Sequence, residues 1–216
     1  MTQRVVSSQT VMVPGPAGTL EAAVDSVGAA PSAVAVICHP HPLEQGTMQN
    51  KVVTTLARAF AHLGAFSVRF NFRGVGASQG AYSEGIGERA DALAVAAWCR
   101  ARWPRLRLYL GGFSFGAAVA LTSAAEAQPF GLVTVAPPVE KMPPTFVPPS
   151  CPWLLVHGTA DDVVPVAPTE AWVAGLAAPP RLVLLDGVGH FFHGQLRTLE
   201  SEVTGFFAAD FRGEPR

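Results

Sequence analysis

The chain has 216 residues, of which 49% are apolar and 14% are charged, and its formal net charge is −1. This length supports one sizeable hydrophobic core, so we expect a single α/β domain over residues 1–216 rather than two domains. Because no run of Lys or Arg forms a basic surface, the composition excludes nucleic acid as an expected partner and gives no reason to expect an anionic membrane.

The N-terminal residues 1–13 lack the charged lead and the long apolar stretch of a signal peptide, so we do not expect export. The three cysteines, Cys38, Cys99 and Cys151, are widely spaced and form no CxxC pair. This usage argues against a disulfide framework and against a zinc site, and it is typical of a reducing compartment. We therefore expect a cytoplasmic location.

Strand-like and helix-like segments alternate along the chain, which predicts a mostly parallel sheet with helices on both faces. The chain begins with two strand patterns, 4–13 and 19–27, and the turn-rich residues 14–18 between them predict an antiparallel hairpin at a sheet edge. Hydrophobic periodicity places the later elements. The further predicted strands are 33–38, 65–72, 106–111, 130–135, 152–157 and 181–185, and the predicted helices are 49–63, 84–102, 114–127, 166–177 and 191–209.

Two segments bear on membrane insertion and on a cap domain. Residues 108–125 are uncharged and just long enough to raise the question of a transmembrane helix. Their central glycines favour a strand, a turn and a buried helix instead. Residues 136–152 hold seven prolines, which predicts a stiff loop, because a helical cap domain cannot form through so many prolines. Any site beneath this loop is expected to be open.

The segment Gly112-Phe113-Ser114-Phe115-Gly116 matches G-x-S-x-G, the sharp turn that exposes a nucleophilic serine between a strand and a helix. The pattern alone is weak evidence, but an apolar strand leads into it and a helix of small residues follows it, as the motif requires. The N-terminus of that helix directs N–H groups at an anion formed on the reacting carbonyl. The alternative interpretation is a serine that only caps the helix.

A catalytic serine needs a histidine to accept its proton and a carboxylate to orient that histidine. In this arrangement the three residues follow in the order serine, acid, histidine. Asp161 and Asp162 lie on the loop after strand 152–157, and one of them is expected to be the acid. His190 follows a Gly-rich turn after the last strand and is the expected base, whereas His193 is expected to begin the helix as a cap or surface residue.

Five segments resemble the small, lidless bacterial α/β-hydrolases related to dienelactone hydrolase and to short serine esterases, and they occur in the order found in that family. They span almost the whole chain from residue 33 onward. The resemblance implies an α/β-hydrolase fold with a mostly parallel central sheet and no cap domain. The segments are HPHPLEQGTMQNKVV (39–53), RFNFRGVGASQG (69–80), GGFSFG (111–116), HGTADDVVP (157–165) and GVGHFFHG (187–194).

The resemblance also implies individual roles. In the family's H-G-x-x-D-x-x-V-P loop the acid is the fifth residue, which is Asp161 in this chain. The family's oxyanion hole uses the N–H of the residue after the nucleophile, here Phe115, and one N–H from the loop after the third strand. In that loop every second residue is a proline without an N–H, so the second donor is His41 or Leu43. The alignment with relatives favours the main chain of His41.

The chain departs from the family at two positions. Dienelactone hydrolases proper have cysteine where this chain has Ser114, and the serine favours ester hydrolysis over that reaction. Many relatives have aspartate where this chain has Asn71, a position that is usually structural in this loop. We therefore interpret Asn71, Arg73, Gly74 and Gly76 as loop architecture and not as a phosphate site.

The predicted function is that of a serine hydrolase, and foremost a carboxylesterase that cleaves short acyl esters through an acyl-enzyme intermediate without a cofactor. Phe113, Met142 and Phe146 are candidate apolar contacts to the small-molecule ester substrate. A thioesterase, lactonase or peptidase that uses the same residues is an alternative. A second alternative is a binding protein that keeps the fold without the chemistry.

A metal site is a third class to consider. His39, His41 and Glu44 form an H-x-H pair with a nearby carboxylate, a pattern that can bind zinc. The proline after each histidine stiffens the loop, and no fourth ligand is obvious nearby in the sequence. We therefore expect no metal.

Overall fold

The computed structural model describes residues 6–28 and 30–214, and over these residues the chain forms one eight-stranded sheet and five α-helices. Residues 4 and 5 of the first predicted strand lie outside the described residues. The strands are β1 (Ser7–Gly15), β2 (Gly18–Ser26), β3 (Ala33–Cys38), β4 (Ala65–Phe70), β5 (Arg107–Phe113), β6 (Gly131–Val135), β7 (Trp153–Gly158) and β8 (Arg181–Leu185). The helices are α1 (Lys51–Leu63), α2 (Ile86–Arg102), α3 (Phe115–Ala127), α4 (Val166–Ala174) and α5 (Leu196–Arg212).

The sheet has the strand order β1-β2-β4-β3-β5-β6-β7-β8. β1 and β2 form the predicted antiparallel hairpin at one edge, and β2 also pairs antiparallel with β4. All pairs from β4 to β8 are parallel, which confirms the predicted mostly parallel sheet. The carboxyl ends of these parallel strands lie at a single edge of the sheet, and the loops that carry the predicted site residues leave from that edge.

Helices cover both faces of the sheet, and each face has its own hydrophobic core. On one face α1 and α5 pack together, with 5.4 Å between the ring centroids of Phe60 and Phe207. On the other face α2, α3 and α4 contribute Cys99, Leu121 and Val173. Every residue of β3 is buried. Its uninterrupted apolar sequence follows from this central position, since such a strand contacts helices on both sides.

Strand β5 is longer than the predicted strand 106–111 and ends only at the residue before Ser114. Gly111 pairs with both neighbouring strands, opposite Ile37 on β3 and Val133 on β6. A Cβ atom at Gly111 would lie 2.7 Å from the Val133 side chain. The glycine therefore leaves room on this face of the sheet for the side chains of Ile37 and Val133, although glycine in a sequence usually signals a turn.

Helix α5 begins at Leu196 and ends at Arg212, later at both ends than the predicted helix 191–209. Gly194 has a φ of 75°, a left-handed conformation that cannot belong to a right-handed helix. Residues 187–195 consequently form a loop, and His193 is an exposed residue of this loop rather than the start of the helix.

The two segments that raised questions about a membrane and a cap have simple structures. Residues 108–125 comprise most of β5, Ser114 and most of α3. Within the part of the chain that the structure describes, no helix is both long enough and apolar enough to cross a membrane. Residues 136–152 contain the short 3-10 helix Val139–Lys141 and are otherwise irregular, so this segment forms no helical cap domain.

Asn71 and Arg73 connect the loop after β4 to its surroundings. The side-chain oxygen of Asn71 accepts the Met48 N–H at 2.8 Å, and its amide nitrogen donates to Glu21 at 2.7 Å. Arg73 pairs with the buried Asp91 on α2 at 2.7 Å. These contacts support the interpretation of both residues as loop architecture.

Candidate active site

Ser114 lies between β5 and α3 in a strained backbone conformation, with a φ of 55° and a ψ of −121°. Its N–H donates to the Val135 carbonyl at 2.8 Å, and its own carbonyl accepts the Ala117 N–H at 2.9 Å. A residue held in such a sparsely populated region costs on the order of 1–3 kcal/mol and persists only where the surrounding structure fixes it. The partly exposed Ser114 is thus held in one place at the edge of the sheet.

Gly112 and Gly116 make this turn sterically possible. A Cβ atom at Gly112 would lie 2.2 Å from the carbonyl oxygen of Gly116. A Cβ atom at Gly116 would lie 2.4 Å from the carbonyl oxygens of Cys38 and His39. The loop after β3 therefore packs directly against the nucleophile turn, and this contact is the physical reason for the second glycine of the motif.

The imidazole of His190 lies between Ser114 and Asp161. Its Nε2 is 3.1 Å from the Ser114 hydroxyl oxygen, and its Nδ1 is 2.7 Å from Asp161 Oδ2. Because an ionised carboxylate only accepts hydrogen bonds, Nδ1 carries the proton and the lone pair of Nε2 faces the hydroxyl. The ring is 4% exposed and packs on Phe113, with 4.8 Å between the ring centroids. The structure thus brings together all three residues of the predicted triad.

Both oxygens of the Asp161 carboxylate are hydrogen-bonded. Oδ1 accepts the N–H groups of Val163 and Val164 at 3.0 and 2.7 Å, while Oδ2 faces His190. Burial by itself raises the pKa of Asp161, but the hydrogen bonds from His157, His190 and Val164 outweigh burial and hold the pKa well below its usual range. The carboxylate is therefore ionised at neutral pH and can balance a positive charge on the imidazole.

His157 is a residue at the site whose contact the sequence did not reveal. Its Nε2 donates to the Val164 carbonyl at 2.9 Å and lies 3.4 Å from Asp161 Oδ2, and its ring is fully buried. His157 is the first residue of the HGTADDVVP segment, four positions before Asp161. This spacing is the sequence feature that could have indicated the contact between the two side chains. The neighbouring Asp162 is exposed, so of the two aspartates it is Asp161 that contacts His190.

The two main-chain N–H groups expected to form the oxyanion hole belong to Phe115 and His41. Phe115 is the first residue of α3, where N–H groups have no acceptor within the helix. Among the described residues, neither the Phe115 N–H nor the His41 N–H donates a hydrogen bond. The Leu43 N–H, in contrast, donates to His41 Nδ1 at 3.2 Å. Of the two candidate donors in the loop after β3, His41 is therefore the one with an N–H that is not already used.

His39 fixes the loop that carries the His41 N–H. Its Nδ1 donates to the Pro40 carbonyl at 2.6 Å, and its Nε2 accepts the Phe72 N–H at 3.0 Å. Burial lowers the pKa of His39 to about 4, so the ring is neutral near pH 7. The Pro40 carbonyl and the His41 N–H belong to one planar peptide group, so the contact to the carbonyl also sets the direction of the N–H.

The loop after β3 does not have the features of a metal site. Both ring nitrogens of His39 are engaged with the protein, so this residue has no lone pair to offer a cation. Over residues 6–28 and 30–214 we find no group of three His, Cys, Asp or Glu side chains arranged to hold a metal ion.

A cavity of about 550 Å³ opens beside the nucleophile turn. It is bordered by His41 and Phe115, the two expected oxyanion donors, while Ser114 itself lies outside its lining. Met142 and Phe146 line this cavity as well. Phe113 does not, because its ring is fully buried beneath His190. The expected substrate contact at Phe113 is therefore corrected to a packing role.

Comparison with known proteins supports the interpretation of this fold. The model of the family described as serine aminopeptidase, S33, matches residues 29–151. An α/β serine hydrolase homologue from Coxiella burnetii is 42% identical, with a TM-score of 0.88 over 91% of this chain and 96% of that chain. An α/β serine hydrolase without a lid from Xanthomonas campestris is 40% identical, with a TM-score of 0.90 over 97% of this chain and 96% of that chain.

A more distant structure has the same fold. Dienelactone hydrolase from Anabaena variabilis is 17% identical, with a TM-score of 0.79 over 94% of this chain and 97% of that chain. Three observations indicate the same fold family: the sheet has helices on both faces, the serine lies at a sharp turn after β5, and two α/β serine hydrolases match at 40% identity and above. The chain belongs to the α/β serine hydrolases, within the family described as serine aminopeptidase, S33.

Proposed function

We propose that the protein is a carboxylesterase that hydrolyses carboxylic esters through an acyl-enzyme intermediate. In this proposal Ser114 is the nucleophile, His190 the general base and acid, and Asp161 the residue that orients His190. The observation that carries the proposal is the hydrogen-bond chain from Asp161 through His190 to the Ser114 hydroxyl, with distances of 2.7 and 3.1 Å. Both distances lie in the range that a nucleophile and its base require.

Acylation follows from the positions of these atoms. Ser114 Oγ attacks the ester carbonyl carbon while its proton passes to His190 Nε2, and Asp161 stabilises the resulting imidazolium. Collapse of the tetrahedral intermediate breaks the bond to the alcohol oxygen, which takes the proton from Nε2 and leaves. The products of this half-reaction are the free alcohol and an acyl group on Ser114.

Deacylation repeats the same proton transfers with water. His190 Nε2 removes a proton from a water molecule as the water oxygen attacks the acyl carbon. The proton then returns to Ser114 Oγ as the acid leaves. In both tetrahedral intermediates the negative oxygen would accept the N–H groups of His41 and Phe115, and the N-terminus of α3 adds a favourable dipole.

Covalent labelling and kinetics on the full chain test this proposal. A fluorophosphonate is expected to modify Ser114, as read by peptide mass spectrometry, and Ser114→Ala should lower kcat on nitrophenyl esters by on the order of 10³ or more. Ser201→Ala, which changes an exposed serine on α5, is the matched control and should keep both labelling and rate. An unlabelled Ser114 together with no ester hydrolysis by the wild type would instead favour a binding protein, whereas an unchanged rate in Ser114→Ala would refute the role of Ser114.

The substrate panel separates the alternatives within the same chemistry. Nitrophenyl esters of increasing acyl length are compared with an acyl thioester, a lactone and an aminoacyl nitroanilide. We expect the highest kcat/KM for an oxygen ester. A higher value for the thioester, the lactone or the anilide would replace the carboxylesterase proposal with a thioesterase, a lactonase or an aminopeptidase, respectively.

A further inference from the structure

The mechanism of ester hydrolysis determines on which side of Ser114 the acyl group and the alcohol of the substrate lie. This inference therefore rests on the proposed function. In the tetrahedral intermediate the reacting carbon carries the serine oxygen, the oxyanion, the alcohol oxygen and the acyl group. The alcohol oxygen must lie near His190 Nε2, because that nitrogen protonates it. The oxyanion lies at the N–H groups of His41 and Phe115. The acyl group therefore points away from His190.

The large cavity lies on this second side. His41 and Phe115 border it, whereas neither His190 nor any residue of the loops 157–165 and 187–195 contributes to its lining. Its volume of about 550 Å³ is in the range of cavities that enclose whole small-molecule ligands. Met142 and Phe146 give it apolar walls. The cavity thus has room for an acyl group much larger than the short ones expected from the sequence.

Tyr82 brings a polar group to this mainly apolar cavity. Its hydroxyl oxygen is 3.1 Å from His41 Nε2, and both residues line the cavity. His41 Nδ1 accepts the Leu43 N–H at 3.2 Å. In a neutral imidazole only one nitrogen accepts, so the proton of His41 is on Nε2 and is donated to the tyrosine oxygen. The Tyr82 hydroxyl is therefore the acceptor in this contact and keeps its own proton for another partner.

The remaining contacts leave that proton available. Among the described residues, His41 is the hydrogen-bond partner found for the Tyr82 hydroxyl. The Tyr82 ring is half-buried and its centroid lies 6.1 Å from that of Phe115, next to the nucleophile. Burial, followed by the negative charges of Glu88 and Glu84, raises the pKa of Tyr82, so the phenol stays protonated at neutral and mildly alkaline pH.

We propose that the cavity receives the acyl group of the ester and that the Tyr82 hydroxyl donates a hydrogen bond to an oxygen atom carried by that acyl group. Tyr82 is then a specificity-determining residue, and the substrate class is esters of oxygenated acids. The apolar side chains of Phe115, Met142 and Phe146 contact the carbon skeleton. The alcohol leaves on the opposite side, beside His190.

Ether analogues of one ester test the proposal. The substrates are 4-nitrophenyl octanoate and analogues in which one methylene of the chain, from carbon 4 to carbon 7, is replaced by oxygen. The quantity measured is kcat/KM of each analogue divided by that of octanoate, for the wild type and for Tyr82→Phe. Dividing the wild-type ratio by the Tyr82→Phe ratio cancels the intrinsic reactivity of each ester. We expect this quotient to reach about three to ten for at least one analogue, the effect of one hydrogen bond.

A second series moves the oxygen to the alcohol. Here the acyl group is octanoyl, and hexyl alcohol is compared with alcohols of the same length that carry an ether oxygen. We expect a quotient near one throughout this series. The inference would be overturned by a quotient near one for every acyl analogue, or by an effect of Tyr82→Phe confined to the alcohol series. In either case, ester hydrolysis that depends on Ser114 would still support the proposed function. Absence of hydrolysis in both series would instead reject the proposed function itself.

Discussion

Asp161 controls which nitrogen of His190 carries the proton. An asparagine at this position can present its NH₂ group to Nδ1, which favours the tautomer with the proton on Nε2. That nitrogen could then no longer accept the Ser114 proton. We expect Asp161→Asn to lower kcat on a nitrophenyl ester by about 10⁴. The matched control is Asp162→Asn, which changes an exposed side chain and should keep kcat within about twofold. A large loss in the control with a small loss at Asp161 would reverse the assignment of the acid.

His39 makes the stability of the fold depend on pH below neutrality. Its pKa is lowered from 6.5 to about 4 by burial, so the unfolded chain binds this proton at a higher pH than the folded protein does. The contribution to stability is complete above pH 6.5 and is lost as pH falls from 6.5 towards 4. At pH 5 the loss from this group is about 2 kcal/mol.

Urea unfolding at pH 7 and pH 5 measures this effect. In His39→Asn the titrating group is absent, so the free energy of unfolding should fall less between the two pH values than in the wild type. An NMR titration of the wild-type His39 ring provides a second measurement that needs no variant. Parallel pH profiles together with a ring pKa near 6.5 would contradict the prediction.

At the scale of single residues, the sequence identified the side chains that meet at the candidate site better than it identified their supporting contacts. Ser114 and His190 could be found because a motif and the order serine, acid, histidine pointed to them. The roles of His39 and Tyr82 depend on partners contributed by other loops, Phe72 and His41, and no local pattern encodes such pairs. The expectation for Phe113 was wrong because β5 is buried on both faces, so the residue before Ser114 packs in the core.

At the scale of elements, the junction between β5 and α3 depends on the absence of a side chain at Gly116. A Cβ atom there would press on the carbonyl oxygens of Cys38 and His39, which are main-chain atoms that cannot swing aside. We expect Gly116→Ala to push the loop after β3 away from the turn. The variant should lose about 1–3 kcal/mol of stability and about 10²-fold in kcat, because an oxyanion donor moves with the loop.

Gly205 provides the matched control for this substitution. It lies within α5, it is exposed, and no atom lies within 4 Å of a Cβ built on it. Alanine has the higher helix propensity, so Gly205→Ala should raise the free energy of unfolding by about 0.5–1 kcal/mol with kcat unchanged. Thermal unfolding and ester hydrolysis of both variants check the pair. Equal behaviour of the two alanines would show that the contact at Gly116 is unimportant.

The elements themselves were predictable where one physical signal dominates. The uninterrupted apolar run of β3 indicated a strand buried on both faces, and the structure agrees. The boundaries at β5 and α5 were missed because glycine has two opposite uses. Gly111 makes room for the side chains of neighbouring strands, and Gly194 takes a left-handed conformation. A sequence does not distinguish a glycine that makes room from one that ends an element.

At the scale of the whole molecule, the candidate site exists only when the sheet is complete. Ser114 follows β5, Asp161 follows β7 and His190 follows β8, and the contact between Ser114 and His190 joins positions 76 residues apart. The order of the strands in the sheet, which brings these loops together, could not be derived from local sequence patterns. Loss of the sheet should therefore abolish activity and expose the core in the same transition.

The cysteines can report this transition. Cys38 on β3 and Cys99 on α2 are fully buried, and burial raises the pKa of both thiols, that of Cys99 to about 12. Because the thiolate is the reactive form, a disulfide reagent should modify these two only after unfolding. Cys151 is half-exposed and should react first, so Cys151→Ser should remove the fast phase.

We expect the slow reaction of Cys38 and Cys99 to accelerate with urea in parallel with the loss of ester hydrolysis. Rapid reaction of Cys38 or Cys99 in fully active protein would mean that the core opens without disrupting the site.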